Sequence, residues 1–80
     1  MNPQEIKSLI LNSIDNSEVR VNSEDNVHFE ATIISDSFNK KSLLERHKMI
    51  YASLGDKMSQ EIHALTINAL TKDEHKNSSK

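Results

Sequence analysis

Near the start of the chain, apolar residues recur at helical spacing: Ile6, Leu9, Ile10 and Ile14 share one stripe and predict an amphipathic helix. Asn2 can cap this helix, Pro3 suits its first position, and Glu5 favours the positive end of its dipole. Asp15-Asn16-Ser17 reads as a turn that ends it. The period then changes to two. Val19 and Val21 face one way with Arg20 between them, and Phe29, Ala31 and Ile33 alternate with His28, Glu30 and Thr32. Residues Val19–Asn22 and Val27–Ser35 are therefore expected to form a hairpin around the polar turn at 22–26, with Ile34 breaking the alternation.

Irregular spacing follows through Ser35–Lys41, and then helical spacing returns. Leu43, His47, Ile50, Leu54 and Met58 recur at three and four, with Leu44 and Tyr51 widening the stripe. This predicts one long helix opened by Ser42, with Glu45 at the capping-box position and Gly55 as a late weak point costing about 1 kcal/mol relative to Ala. In the third alternating run, Ile62–Leu70, His63, Leu65, Ile67 and Ala69 share one parity and Thr66 and Asn68 the other. Thr71 and Glu74 can form a second capping box for a short last helix, and residues 76–80 read as a frayed tail. The expected architecture is α+β, in the order helix, strand, strand, helix, strand, short helix. Its two layers are a three-stranded sheet and helices covering one of its faces, within a single domain over residues 1–75.

Composition narrows the chemistry. With 80 residues and a hydrophobic fraction of 35%, below the roughly 45–50% of typical domains, the core is thin. Ten basic and twelve acidic residues leave a net charge of −2, so no global field draws the chain to nucleic acid or an anionic membrane. There is no cysteine, which excludes disulfides, thiolate nucleophiles and all-protein thiolate metal sites. A single glycine leaves no phosphate-cradling loop, and no nucleophile, base and orienting group fall together, so catalysis is not expected. The amino-terminal segment is too polar for a signal peptide and no run is long enough to span a membrane, so the simplest expectation is a cytoplasmic protein.

Glu45-Arg46-His47-Lys48-Met49-Ile50-Tyr51, then Glu61-Ile62-His63-Ala64-Leu65 and Thr71-Lys72-Asp73-Glu74, preceded by Ser35-Asp36-Ser37-Phe38, resemble the BolA family. The resemblance covers nearly the whole chain, and the divergent first strand places it with the smaller bacterial branch. Two departures stand out. Asn39-Lys40-Lys41 occupies a segment that often holds Gly in the family, and Lys72 stands where Pro often follows the Thr.

The resemblance implies a fold similar to the class II KH domain. It also implies partnership with a monothiol glutaredoxin in handling a glutathione-ligated [2Fe-2S] cluster, and a reported role in stress or morphology genes through DNA binding. By residue match His63 is the cluster-binding histidine. The family's second ligand is a Cys or His in or near the loop between the first two strands. That loop holds neither here, so the nearest candidate is His28, whose parity is opposite to that of His63. No cofactor is expected in the isolated protein, which would be a monomer or weak homodimer. His47 reads as a packed helix histidine flanked by solvated Arg46 and Lys48. The alternative function is DNA contact through Lys40, Lys41, Arg46 and Lys48 on and before the long helix. The Gly-x-x-Gly loop through which KH domains read RNA is absent.

Overall fold

The computed structural model describes residues 2–60 and 64–78. Along the chain these form α1 (Pro3–Ser13), β1 (Ser17–Asn22), β2 (His28–Ser35), a 3₁₀ turn (Asp36–Phe38), α2 (Leu43–Leu54), α3 (Lys57–Gln60), β3 (Ala64–Leu70) and α4 (Lys72–Ser78). The α+β order and the three-stranded sheet agree with the sequence pattern. No helix among the described residues is long and apolar enough to cross a membrane.

Each expected cap is made. The Asn2 side chain accepts the Glu5 N–H at 3.0 Å. Ser42 and Glu45 exchange both bonds of a capping box, at 3.0 and 3.1 Å. Thr71 and Glu74 do the same at the start of α4, at 2.8 and 3.1 Å. α4 then continues through residues 76–78 of the expected tail.

The strand order is β1-β2-β3. β1 and β2 pair antiparallel, from Ser17 opposite Ser35 to Asn22 opposite Glu30. β2 and β3 pair parallel, from His28 opposite Ala64 to Ile34 opposite Leu70. Alternation sends Phe29, Ala31 and Ile33 to the helical side. There they join Ile6, Ile10 and Ile14 behind α1, Val19 of β1, Ile50 and Leu54 of α2, and Ala69 of β3. Ile34, the residue that broke the alternation, is buried apart from this core, beside Lys72 and His75 of α4. Its burial is a contact with α4, which packs against β2 and β3.

Three expectations change. β1 begins at Ser17, because the turn is completed by Asn16 in the left-handed region (φ 51) and by the Ser17 hydroxyl donating to the Ile14 carbonyl. The segment after β2 is an ordered turn. Ser35 Oγ donates to the Asp15 carbonyl and accepts the Ser37 N–H, and Phe38 is fully buried. The long helix is two helices, since Gly55 takes a positive φ of 56 and its N–H returns to the Tyr51 carbonyl.

The buried row of α2 is also shifted. It runs Arg46, Ile50, Leu54, while Leu43 and Leu44 are 66% and 65% exposed and Tyr51 is 42% exposed. His47 is half-buried. The apolar arc read from the sequence is wider than the sheet and α1 can cover.

Lys40 occupies the left-handed region at φ 65, in the segment where the resemblance leads one to expect glycine. A side chain there costs about 1–2 kcal/mol, and the extra unfolded-state freedom of glycine returns roughly 0.5–1 of that. Lys40→Gly is therefore expected to stabilise the chain by about 0.5–1 kcal/mol. Urea unfolding should show a higher midpoint at unchanged slope, whereas Lys40→Ala, which keeps the strain, should show no gain.

Candidate functional site

Because β2 and β3 run parallel, their first residues lie at the same end of the sheet, and the turn from β1 enters there too. The turn is organised by two side chains. Ser23 Oγ accepts the Asn26 N–H at 2.9 Å and donates to the His28 carbonyl at 2.7 Å. Asp25 Oδ1 accepts the N–H groups of Val27 and His28, each at 2.9 Å. β2 starts at His28 and not at Val27, because His28 is the first of its residues with a partner in β3. Asn26 fills a left-handed position (φ 57), which asparagine tolerates better than most residues.

The second Asp25 oxygen lies 2.9 Å from His28 Nδ1. This contact first, then the two backbone N–H groups, holds the Asp25 carboxyl far below the usual carboxylate range. Asp25 is thus an anion at neutral pH, and it draws the imidazole proton to Nδ1. In the neutral imidazole the lone pair is then on Nε2, the arrangement by which carboxylates orient metal-binding histidines. The His28 side chain is 71% exposed. A shallow depression of about 420 Å³ opens beside it, bordered by Ser23, Asp25, Glu30 and Thr66.

His63 lies outside the described residues. Its chain neighbour Ala64 is the residue paired with His28. Among the described residues, no three His, Asp or Glu side chains converge to hold a metal ion.

The basic residues divide. Lys40 and Lys48 are exposed and Lys41 is half-buried. Arg46, expected on a solvated face, is 7% exposed, and this is a correction. Its Nε donates to the Lys41 carbonyl at 3.0 Å, and Nη1 donates to the Ala69 carbonyl at 3.1 Å. Nη1 also meets Glu74 Oε1 at 2.6 Å, and the guanidinium carbon stands 5.9 Å from the centre of the Phe38 ring. The reason is geometric: only a long, forked cation at this position of α2 can reach carbonyls on two segments and a carboxylate on a third. Arg46 ties elements together instead of presenting charge to a ligand. The sequence reading missed Asp25 as the partner of His28; the spacing Asp-x-x-His across a short turn was the available signal.

A protein-family model described as "BolA-like protein" matches residues 4–74. Among solved structures, a bolA protein homologue from Coxiella burnetii is similar at 31% identity and a TM-score of 0.84, covering 95% of this chain and 97% of that one. The BolA domain of SufE1 from Arabidopsis thaliana is similar at 34% identity and a TM-score of 0.79, covering 90% of this chain and 93% of that one. Among curated sequences, the DNA-binding transcriptional regulator BolA of Escherichia coli is 39% identical over 44 residues, which is 55% of this chain and 42% of the relative. The matches span less than half the length of the curated relatives.

Proposed function

The chain belongs to the BolA-like protein family, and from that premise we propose that it is a non-enzymatic adaptor. It binds a monothiol glutaredoxin and shares or modulates the glutathione-ligated [2Fe-2S] cluster that the glutaredoxin carries. The observation that supports this reading is His28, oriented by Asp25 at the end of the sheet where β3 begins, one residue after His63 in the sequence. His63 is the first ligand in this reading and His28 the second. The cluster is cargo, and its remaining ligands come from the glutaredoxin cysteine and the glutathione thiol. Imidazole in place of thiolate on one iron makes such a cluster more readily reduced, as in Rieske centres.

The test is visible circular dichroism of a glutathione-ligated [2Fe-2S] glutaredoxin, titrated anaerobically with this chain. Wild type is expected to change the spectrum to saturation at one equivalent. His63→Ala should leave the spectrum unchanged, and His28→Ala should weaken the change or alter its form. An unchanged spectrum with wild type would sink the proposal. An identical change with His63→Ala would reduce it to docking without ligation.

A second reading is DNA binding, favoured by exposed Lys40 and Lys48 beside α2 and by the description of the Escherichia coli relative. Arg46 is no longer among its contacts. On this reading Lys40→Glu with Lys41→Glu abolishes retention of a DNA duplex and His63→Ala spares it, with binding falling steeply as salt rises.

A further inference from the structure

Among the described residues, β3 has a strand neighbour on one side only, because β2 is central in the order β1-β2-β3. The opposite edge, β1, carries exposed Glu18 and Arg20, paired at 2.7 Å. Charged side chains are a common means of keeping an edge strand from pairing with other chains. β3 carries no charged side chain of its own, and only the Arg46 guanidinium, at the Ala69 carbonyl, brings a charge to it among the described residues. Its seven residues, Ala-Leu-Thr-Ile-Asn-Ala-Leu, contain no charge, no proline and no glycine. Leu65 and Ile67 pack against the core and stay only partly buried.

The strand is also close to self-complementary. Turned antiparallel on itself about Ile67, it sets Leu65 opposite Ala69 and Ala64 opposite Leu70, so a large side chain meets a small one each time. Thr66 then falls opposite Asn68, a hydroxyl against an amide, and both are exposed on the face away from the core. A two-fold contact requires one patch to serve both partners, and this pattern does so. The Ala69 carbonyl already accepts from Arg46, and a carbonyl has a second lone pair for another donor.

We propose that the outer edge of β3 pairs antiparallel with the same strand of a second copy, in register about Ile67, joining two three-stranded sheets into one. A single strand edge buries less than the roughly 1,600 Å² of a standard interface, so the dimer is weak and concentration-dependent. The proposal does not depend on the cluster reading, and no iron or glutaredoxin enters its test.

Sedimentation equilibrium of the full chain from about 10 μM to about 1 mM should show monomer passing to dimer. Thr66→Lys with Asn68→Lys places like charges opposite each other twice on exposed positions. The midpoint of self-association should rise at least about tenfold, with the far-UV circular dichroism spectrum unchanged. Thr66→Glu with Asn68→Lys makes the same two cross-pairs attractive and should restore association. Since the chain has no cysteine, mixing Thr66→Cys with Asn68→Cys offers a register test. The mixed disulfide should form several-fold faster than either homodisulfide. A chain that stays monomeric through the whole range overturns the proposal. So does a double-lysine variant that associates like wild type, or a mixed disulfide with no kinetic preference.

Discussion

Replacing Arg46 by alanine is expected to lower stability by about 3 kcal/mol, a large share of the roughly 4–12 kcal/mol typical of a chain this size. The loss has several parts. The Lys41 and Ala69 carbonyls each lose a charged donor, at 3.0 and 3.1 Å in the native structure. Two such hydrogen bonds contribute about 1.5–3 kcal/mol each at most, and entry of water into the opened space recovers some of it. The Phe38 ring also loses the cation above it. Arg46→Lys should recover less than half of the loss, because an ammonium on a flexible stem cannot reach both carbonyls and Glu74 at once. Urea unfolding of the two variants beside wild type measures both effects, and an alanine variant within about 1 kcal/mol of wild type would contradict the argument.

The same tie gives stability an acid limit. The Glu74 carboxyl is held below its ordinary value first by Arg46 and then by the Thr71 N–H. Glu45 is lowered in the same direction by its bonds to Ser42. A carboxyl lowered in the folded state contributes stability that is complete above the unfolded value and disappears as pH falls through the folded one. Stability should therefore decline below about pH 4.5, and Glu74→Gln should flatten part of that decline.

Phe38→Ala is the second large effect, at about 3–4 kcal/mol. The ring is fully buried at the end of the 3₁₀ turn, between the core and the Arg46 guanidinium. Removing it leaves a cavity that the turn cannot close, since the turn is pinned to Asp15 through Ser35 and Ser37. Phe38→Leu should cost about 1 kcal/mol, because most of the volume is kept. With Arg46→Ala the two losses should add to less than their sum, by about 0.5–1.5 kcal/mol, as neighbours sharing one contact do. Additive losses in the double variant would mean the stacking contributes nothing.

What the amino-acid order revealed follows from how local each signal is. The caps at Asn2, Ser42 and Thr71 involve residues three apart, and all three are present. The alternation of Phe29, Ala31 and Ile33 reports burial on one face, and it places the core. Phe38 and Arg46 were not legible in the same way. Each is buried by segments distant in sequence, one as an aromatic in a turn and the other as a cation on a helix. The helical period at 43–58 marked an apolar arc correctly but could not say which part of it a partner element would cover, so Leu43, Leu44 and Tyr51 were placed inside and are outside. At the candidate site, His28 could be found from the sequence because it is the histidine nearest the loop where the family resemblance implies a second ligand. Its orientation by Asp25 depends on the turn closing and could not be.

The parallel register of β2 and β3 has a kinetic consequence. β2, the most buried strand, is completed at Ser35, but the partner for its second side begins at Ala64 and arrives only after residues 36–63. A chain emerging from the ribosome can form α1 and the β1–β2 hairpin early. Until the rest is made, it carries Phe29, Ala31, Ile33 and Ile34 on a strand with one open flank. Closing that long crossover sets the pace of folding more than any local step does. In the growing chain the greatest hazard of misassembly therefore belongs to the strand that becomes the centre of the sheet.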